Sequence, residues 1–469
     1  MLPLRLRALF VSVLSLSAGG AMAAPTLGAA VRERVETLVR HGQHASMAIA
    51  VIDGKDSAVY GFGRARDNES CRPDADTIYE LGFVSMTFTA LLLADAVVTG
   101  RASLDKPVEE LLPGYTIPPF DGQKITLRSL ATHYSGLPVL PDNLYSANPL
   151  DPFTEYDAAQ LRSFLAGYAL TRQPGKELEL SMLGYGLLGT ALGTQAGMSY
   201  EDLLRARITE PLDLPSTTTI PSPEMRARMA QGHLDNGFPV PIWDFRALEG
   251  AGAVLSSPRD MIRYLRSYMQ PAGAAQKLAL RPQQVLGGEG HDPRARTMGL
   301  AWTFERVNGK MYAWHSGMSG GYTSFAGFSL DGRRGVLLMS GSAREVQSLG
   351  QALLWQSPLP PVPPPSALPP EIAVAAADLA QYAGRYVLAA TTFVDVRQGP
   401  DGLLAGLMES GTPEPRDALM FASAPDTFFS RMTPGHLVFQ RDAEGAIVGL
   451  VLHQSGMAKF ARRQSPSPP

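Results

Sequence analysis

Only one cysteine, Cys71, occurs in the 469 residues. No internal disulfide can form, so stability has to come from packing. The flanks of Cys71 (Glu69, Arg72, Pro73) read as a surface loop, with no base nearby in sequence to make it a nucleophile. Charge is sparse too: 18% of residues are charged, the formal net charge is −3, and no Lys/Arg cluster stands out. Nucleic-acid binding through a basic face is therefore not expected. No apolar run reaches the roughly 20 residues that cross a bilayer as a helix. No glycine loop cradles a phosphate, because Gly184, Gly186 and Gly189 fall inside a helical pattern, where they permit close packing. His41 and His44 stand at a predicted helix end without a third ligand, so no metal and no cofactor is expected.

What is present begins with an export signal. Arg5 and Arg7 precede the apolar segment 8–16, and Ala21-Met22-Ala23 offers a small-x-small cleavage site. Residues 1–23 are read as a signal peptide, which makes the protein secreted or periplasmic, with no stable membrane span after cleavage. Apolar residues at 88, 91, 92 and 96 predict a buried helix stopped by Gly100, with Phe83 to Met86 on its first turn.

Around that helix the chain reads as mixed α/β (α+β). Arg32 to Arg40 has helical spacing. Strand-like runs follow at 46–52 and 58–62, joined through Asp53-Gly54-Lys55-Asp56, a hairpin signal. Residues 85–250 read as mostly helical. Ser199 and Ser257-Pro258 are helix starts. Strand patterns return at 298–304, 310–315, 322–330 and 335–340, which suggests one sheet closed by both ends of the sequence. The first domain is placed at 24–355 and a proline-rich linker at 356–372. A small all-β barrel or sandwich at 373–463 has strands near 392–396, 403–407, 437–440 and 447–453, and a turn at Asp442–Gly445. A disordered tail is expected at 464–469.

Several stretches carry a resemblance. They include Thr77-Ile78-Tyr79-Glu80-Leu81-Gly82, Thr87-Phe88-Thr89-Ala90-Leu91-Leu92, Ser135-Gly136-Leu137-Pro138, Leu183-Gly184-Tyr185-Gly186 and His315-Ser316-Gly317. Over roughly 30–345 the chain resembles the serine β-lactamase and penicillin-binding protein superfamily, on the branch of class C β-lactamases, esterases and D-alanyl-D-alanine carboxypeptidase/endopeptidases. The resemblance implies a β-lactamase-like antiparallel sheet flanked by helices, a helical subdomain, and a small β domain appended at the C-terminus.

The chemistry of that family uses a Ser-x-x-Lys pair, in which Ser attacks a carbonyl and Lys takes its proton. The resemblance puts Phe83 at the Ser position and Met86 at the Lys position. The family's Tyr-x-Asn reads Leu180-Ser181-Met182 here. Only the third cluster, Lys/His-x-Gly, survives, as His315-Ser316-Gly317. Tyr134 replaces a small Thr beside His133. Phe has no hydroxyl and Met no exchangeable proton. Loss of nucleophile or base costs on the order of 10⁶ in turnover in a serine hydrolase. The replacements are large and apolar, so Phe83, Met86, Leu180 and Met182 are expected to close a dry plug where the polar cavity would be.

Other serines offer weaker routes. Ser85 lacks a lysine three residues on, Ser181 lacks a base, and Gly317-Met318-Ser319-Gly320-Gly321 matches G-x-S-x-G but lies between strands, where a hairpin turn is the better account. The expected function is a catalytically inactive homologue with a binding or scaffolding role in the cell envelope, its partner a peptidoglycan-derived peptide or an envelope protein. The alternatives are an active serine hydrolase of D-Ala-D-Ala peptides, β-lactams or esters using an unrecognised nucleophile, and a binder of apolar ligands.

Overall fold

The structure, a computed structural model, describes residues 25–67, 70–144, 148, 150–286, 296–364, 369–388, 392–399, 402–409, 418–430, 436–454 and 457–464. The expected signal peptide lies outside the described residues.

Eight antiparallel strands form the main sheet. Their order is Asp56–Gly63, Ser46–Asp53, Arg334–Ser340, Thr323–Ser329, Lys310–Met318, Thr303–Val307, Arg296–Met298 and Gln284–Leu286. The N-terminal hairpin pairs with the last strand, Met47 opposite Ser340 through Asp53 opposite Arg334, so both ends of the domain close one sheet. Ser46–Asp53 is buried at every position except Asp53. Alternation explains this, since successive side chains in a strand face opposite ways. Ala48, Ala50 and Ile52 join the large helical core, whereas Met47, Ile49 and Val51 join a second core with Leu38, Leu349 and Leu353. Those three come from helices Ala29–Arg40 and Gln347–Trp355 on the opposite face.

Helix Ser85–Val98 runs through the larger core, and every residue from Ser85 to Ala94 is buried. Such a helix is apolar all round, and its few polar groups must find partners inside. Thr89 Oγ1 donates to the Gly250 carbonyl at 2.7 Å and lies 2.6 Å from the Tyr200 hydroxyl. Tyr264 donates to Thr87 Oγ1 at 3.0 Å, and its ring stacks on Phe88 at 3.9 Å. The helix starts two residues later than the spacing predicts: Gly82–Val84 is a 3-10 turn, so Phe83 precedes the first α-turn.

The predicted strand over 298–304 is broken in two. Residues 299–302 form a tight turn, with Gly299 N–H bonded to Trp302 O and Ala301 at φ 65°. The cause is tertiary. Trp302 is fully buried against Tyr268 and Phe328, and Ala301 N–H bonds the Ala131 carbonyl instead of a neighbouring strand.

Helix Gln347–Trp355 ends with Gln356 in the left-handed conformation. Downstream, His41 Nδ1 lies 3.3 Å from Pro363 O and Gln43 Nε2 donates to Pro364 O, against the first domain. The C-terminal strands close into an eight-stranded antiparallel barrel from Gly384–Val387 to Met457–Arg463, which meet at Tyr386 opposite Arg463. Closure removes free edges. Val394, Leu403, Phe428, Leu437, Phe439 and Leu450 fill the interior. Gln464 is tied to the barrel through its N–H and the Arg385 carbonyl; the rest of the expected tail lies outside the described residues.

Helix Met182–Ala196 packs through its glycines. A Cβ on Gly186 would stand 2.9 Å from Leu248 Cα, and one on Gly189 the same distance from Gly250 Cα. Gly186→Val is therefore expected to cost roughly 1–3 kcal/mol by overpacking. Gly167→Ala, in open space at a helix end, should be neutral or slightly stabilising. Urea midpoints of the two variants check the contrast.

Candidate active site

The site positions meet where the 81–84 turn lies against the end of strand Lys310–Met318. Leu81 N–H bonds Val254 O, and Ser324 Oγ donates to Leu81 O at 2.6 Å. Gly82 has φ 52°, and a Cβ on it would lie 2.5 Å from Met318 O. A Cβ on Gly317 would lie 2.1 Å from Leu81 O. Only glycine fits at either point, because the obstacle is backbone. This pair fixes the helix start against His315-Ser316-Gly317.

The third segment is Leu180-Ser181-Met182. His133, at φ 61°, orders it: Ser181 N–H donates to His133 Nδ1 at 3.0 Å and Glu179 N–H to the His133 carbonyl. The His133 ring packs on Tyr185 with centroids 4.9 Å apart. Burial first, and then the neighbouring His315, hold the His133 imidazole down to about 3. His315 is likewise pushed to about 4 by burial, although its Nδ1 lies 2.8 Å from the Ser316 carbonyl. Both rings are neutral near pH 7, as the histidines of a wall and a loop anchor would be.

The apolar replacements do not all converge. Met86 and Met182 are buried in the main core and Phe83 packs half-buried against it, but Leu180 is 63% exposed. The expected four-residue plug thus loses Leu180. Ser181 caps helix Met182–Ala196, and its neighbour Leu180 is left on the solvent side with Leu178, Val139 and Leu140.

Each serine nearby is already used. Ser85 Oγ accepts from Val254 N–H at 3.0 Å. Ser181 Oγ accepts from Gly184 N–H and donates to Pro138 O. Ser319 lies in the hairpin turn between strands, 3% exposed, and donates to Glu80 Oε2 at 2.9 Å. Glu80 is a site residue that sequence reasoning passed over; its signal is a lone charge in the apolar run Ile78–Val84. It also accepts from Trp243 N–H at 3.0 Å, so one carboxyl ties together three segments. Burial raises it to about 8, against the two hydrogen bonds and with help from Asp151. A carboxyl protonated at neutral pH cannot take the Ser319 proton, so the pair is structural.

Outside this region, Cys71 is exposed and His44 Nδ1 lies 2.9 Å from Ser340 Oγ. Among the described residues no group of three or more His, Cys, Asp or Glu could hold a metal, and no helix is long and apolar enough to cross a membrane.

An antiparallel sheet with a buried helix starting against the end of its His-x-Gly strand defines the serine β-lactamase and penicillin-binding protein scaffold. The beta-lactamase family model matches residues 31–354, and the chain belongs to that family. It is 28% identical over 305 residues to the D-alanyl-D-alanine-carboxypeptidase/endopeptidase AmpH of Escherichia coli (strain K12), covering 62% of this chain and 78% of that protein. It is 27% identical over 313 residues to penicillin-binding protein 4 of Amycolatopsis lactamdurans, covering 63% and 80%. Among solved structures, a β-lactamase/D-alanine carboxypeptidase from Yersinia pestis complexed with citrate superposes with a TM-score of 0.59 at 25% identity, covering 66% of this chain and 91% of that one.

Two titration predictions follow from the geometry. Glu80 keeps a proton in the folded protein that the unfolded chain releases above its ordinary value of 4.5. The stability it contributes is fully present below 4.5 and is lost as pH rises through about 8. Glu80→Gln should flatten that decline, gaining on the order of a few kcal/mol relative to the parent by the alkaline end, as read by urea unfolding across the window. Equal slopes would mean that Glu80 is ionised in the fold. The ring resonances of His133 and His315 should stay at their neutral positions from about pH 8 down to about 5 in an NMR titration.

Proposed function

We propose that this beta-lactamase family member is catalytically inactive and serves as a binding protein of the cell envelope. One feature carries the reading: Phe83 and Met86, which the resemblance puts at the nucleophile and base positions, carry neither a hydroxyl nor an amine, and both pack on the hydrophobic core. Ser85, Ser181 and Ser319 are spent on structural hydrogen bonds, which supports the same reading. The glycine contact that sets the helix start against His315-Ser316-Gly317 is retained, so the surface beside His315 keeps its backbone frame without the family's nucleophile and base.

The binding role rests on that surface and on the export signal. Similarity to a D-alanyl-D-alanine-carboxypeptidase/endopeptidase favours a peptidoglycan-derived peptide as the ligand, with an envelope protein as the other candidate. Exposed Leu180, Leu178 and Val139 around the Ser181 segment would favour apolar parts of either.

Incubation of the mature protein with a reactive β-lactam and with a fluorophosphonate, followed by intact-mass analysis, tests the inactive state. No adduct on folded protein is expected. A stoichiometric adduct mapped to one serine would overturn the proposal and restore the hydrolase reading.

A further inference from the structure

A cavity of about 670 Å³ lies away from Phe83 and His315, where the end of helix Ala29–Arg40 meets the end of strand Asp56–Gly63 and the Gly232–His233 segment. Three guanidinium groups line it, Arg40, Arg64 and Arg72. Arg64 and Arg72 have no ion-pair or hydrogen-bond partner for their side chains among the described residues, and Arg40 bonds only the hydroxyl of Thr37. Two carboxylates share the cavity, Glu36 and Asp67. Asp67 is already engaged, with its oxygens 3.0 and 3.2 Å from His233 Nε2. The other ring nitrogen of His233 lies 2.9 Å from the Gly341 carbonyl. Both ring nitrogens thus face acceptors, and His233 is itself only 3% exposed. The described lining thus sets three arginines against two carboxylates, one of them already bonded to His233.

The backbone that carries the two free arginines is fixed. Gly63, at φ 73°, is pressed on Ala45, where a Cβ would lie 2.1 Å from the carbonyl oxygen. Arg64 N–H then bonds that same carbonyl at 3.0 Å, and Ala45 N–H bonds Ser342 Oγ. Ala65 N–H bonds the Cys71 carbonyl at 3.1 Å, which closes the loop and returns Arg72 beside Arg64. Arg64 and Arg72 are exposed, and they stand on a pinned frame around a concave volume large enough for a small molecule. A guanidinium presents a planar fork that matches the two oxygens of a carboxylate or phosphoryl group.

We infer that this cavity is a second ligand site, which takes a small polyanion bearing carboxylate or phosphoryl groups on Arg64 and Arg72, with Arg40 as the third cation. The inference does not depend on whether the cleft beside Phe83 is active.

Isothermal titration calorimetry of the mature protein at low ionic strength, with inorganic pyrophosphate and separately with tricarballylate, tests it. Saturable one-site binding of at least one probe is expected. Arg64→Ala with Arg72→Ala should weaken it roughly tenfold or more, while Arg333→Ala, an exposed arginine elsewhere, should leave it unchanged. Arg64→Lys with Arg72→Lys keeps the charge and loses the fork, and should still weaken binding about threefold, which preserves the test if the alanine pair is poorly folded by circular dichroism. Saturation by pyrophosphate alone assigns phosphoryl ligands, and by tricarballylate alone carboxylates. No saturation with either probe, or equal affinity in both double variants, would overturn the inference.

Discussion

The first domain depends on a contact between two backbones. The 81–84 turn and the end of strand Lys310–Met318 approach so closely that only Gly82 and Gly317 fit between them. This contact anchors the start of a largely buried helix to the end of a central strand of the sheet. The sheet is in turn held by the pairing of the first hairpin with the last strand. A buried helix pays for its polar groups only when they are matched, and Ser85, Thr87 and Thr89 each find a partner on a different segment.

The same contact separates architecture from chemistry. Strand, turn and helix start can be kept while the side chains that project from them change, because backbone hydrogen bonds and glycine contacts set the positions. Half-buried Phe83 and buried Met86 lend apolar surface to the core, and full burial of a side chain such as Met86 is favourable by about 1.5–3 kcal/mol. His315 and His133 keep places in the wall but are held neutral by burial. Glu80 illustrates a further economy: one protonated carboxyl fastens the Trp243 segment and the Ser319 turn to the start of the helix.

The basic cavity near Arg64 lies on another part of the same sheet. Its frame is again a glycine pressed on a carbonyl, Gly63 on Ala45, which shows the device used twice in one domain.

The sequence by itself determined the scaffold and the apolar character of positions 83 and 86. Periodicity and turn signals located the hairpin, the central helix and the capped helices at Ser199 and Ser257, and the residues at 83 and 86 carry no nucleophile or base whatever surrounds them. The β-rich C-terminal segment was legible as barrel or sandwich; only closure of Gly384–Val387 on Met457–Arg463 made it a barrel, since pairing between distant strands leaves no local mark. Tertiary structure alone decided four matters. Burial of Trp302 broke the predicted strand at 299–302, and capping by Ser181 left Leu180 outside the apolar cluster. Burial of Glu80 between Trp243 and Ser319 made it a neutral strut, and loop closure from Ala65 to Cys71 gathered arginines that no sequence cluster announces. Each depends on which distant groups become neighbours and how much water they lose, and local spacing along a chain encodes neither.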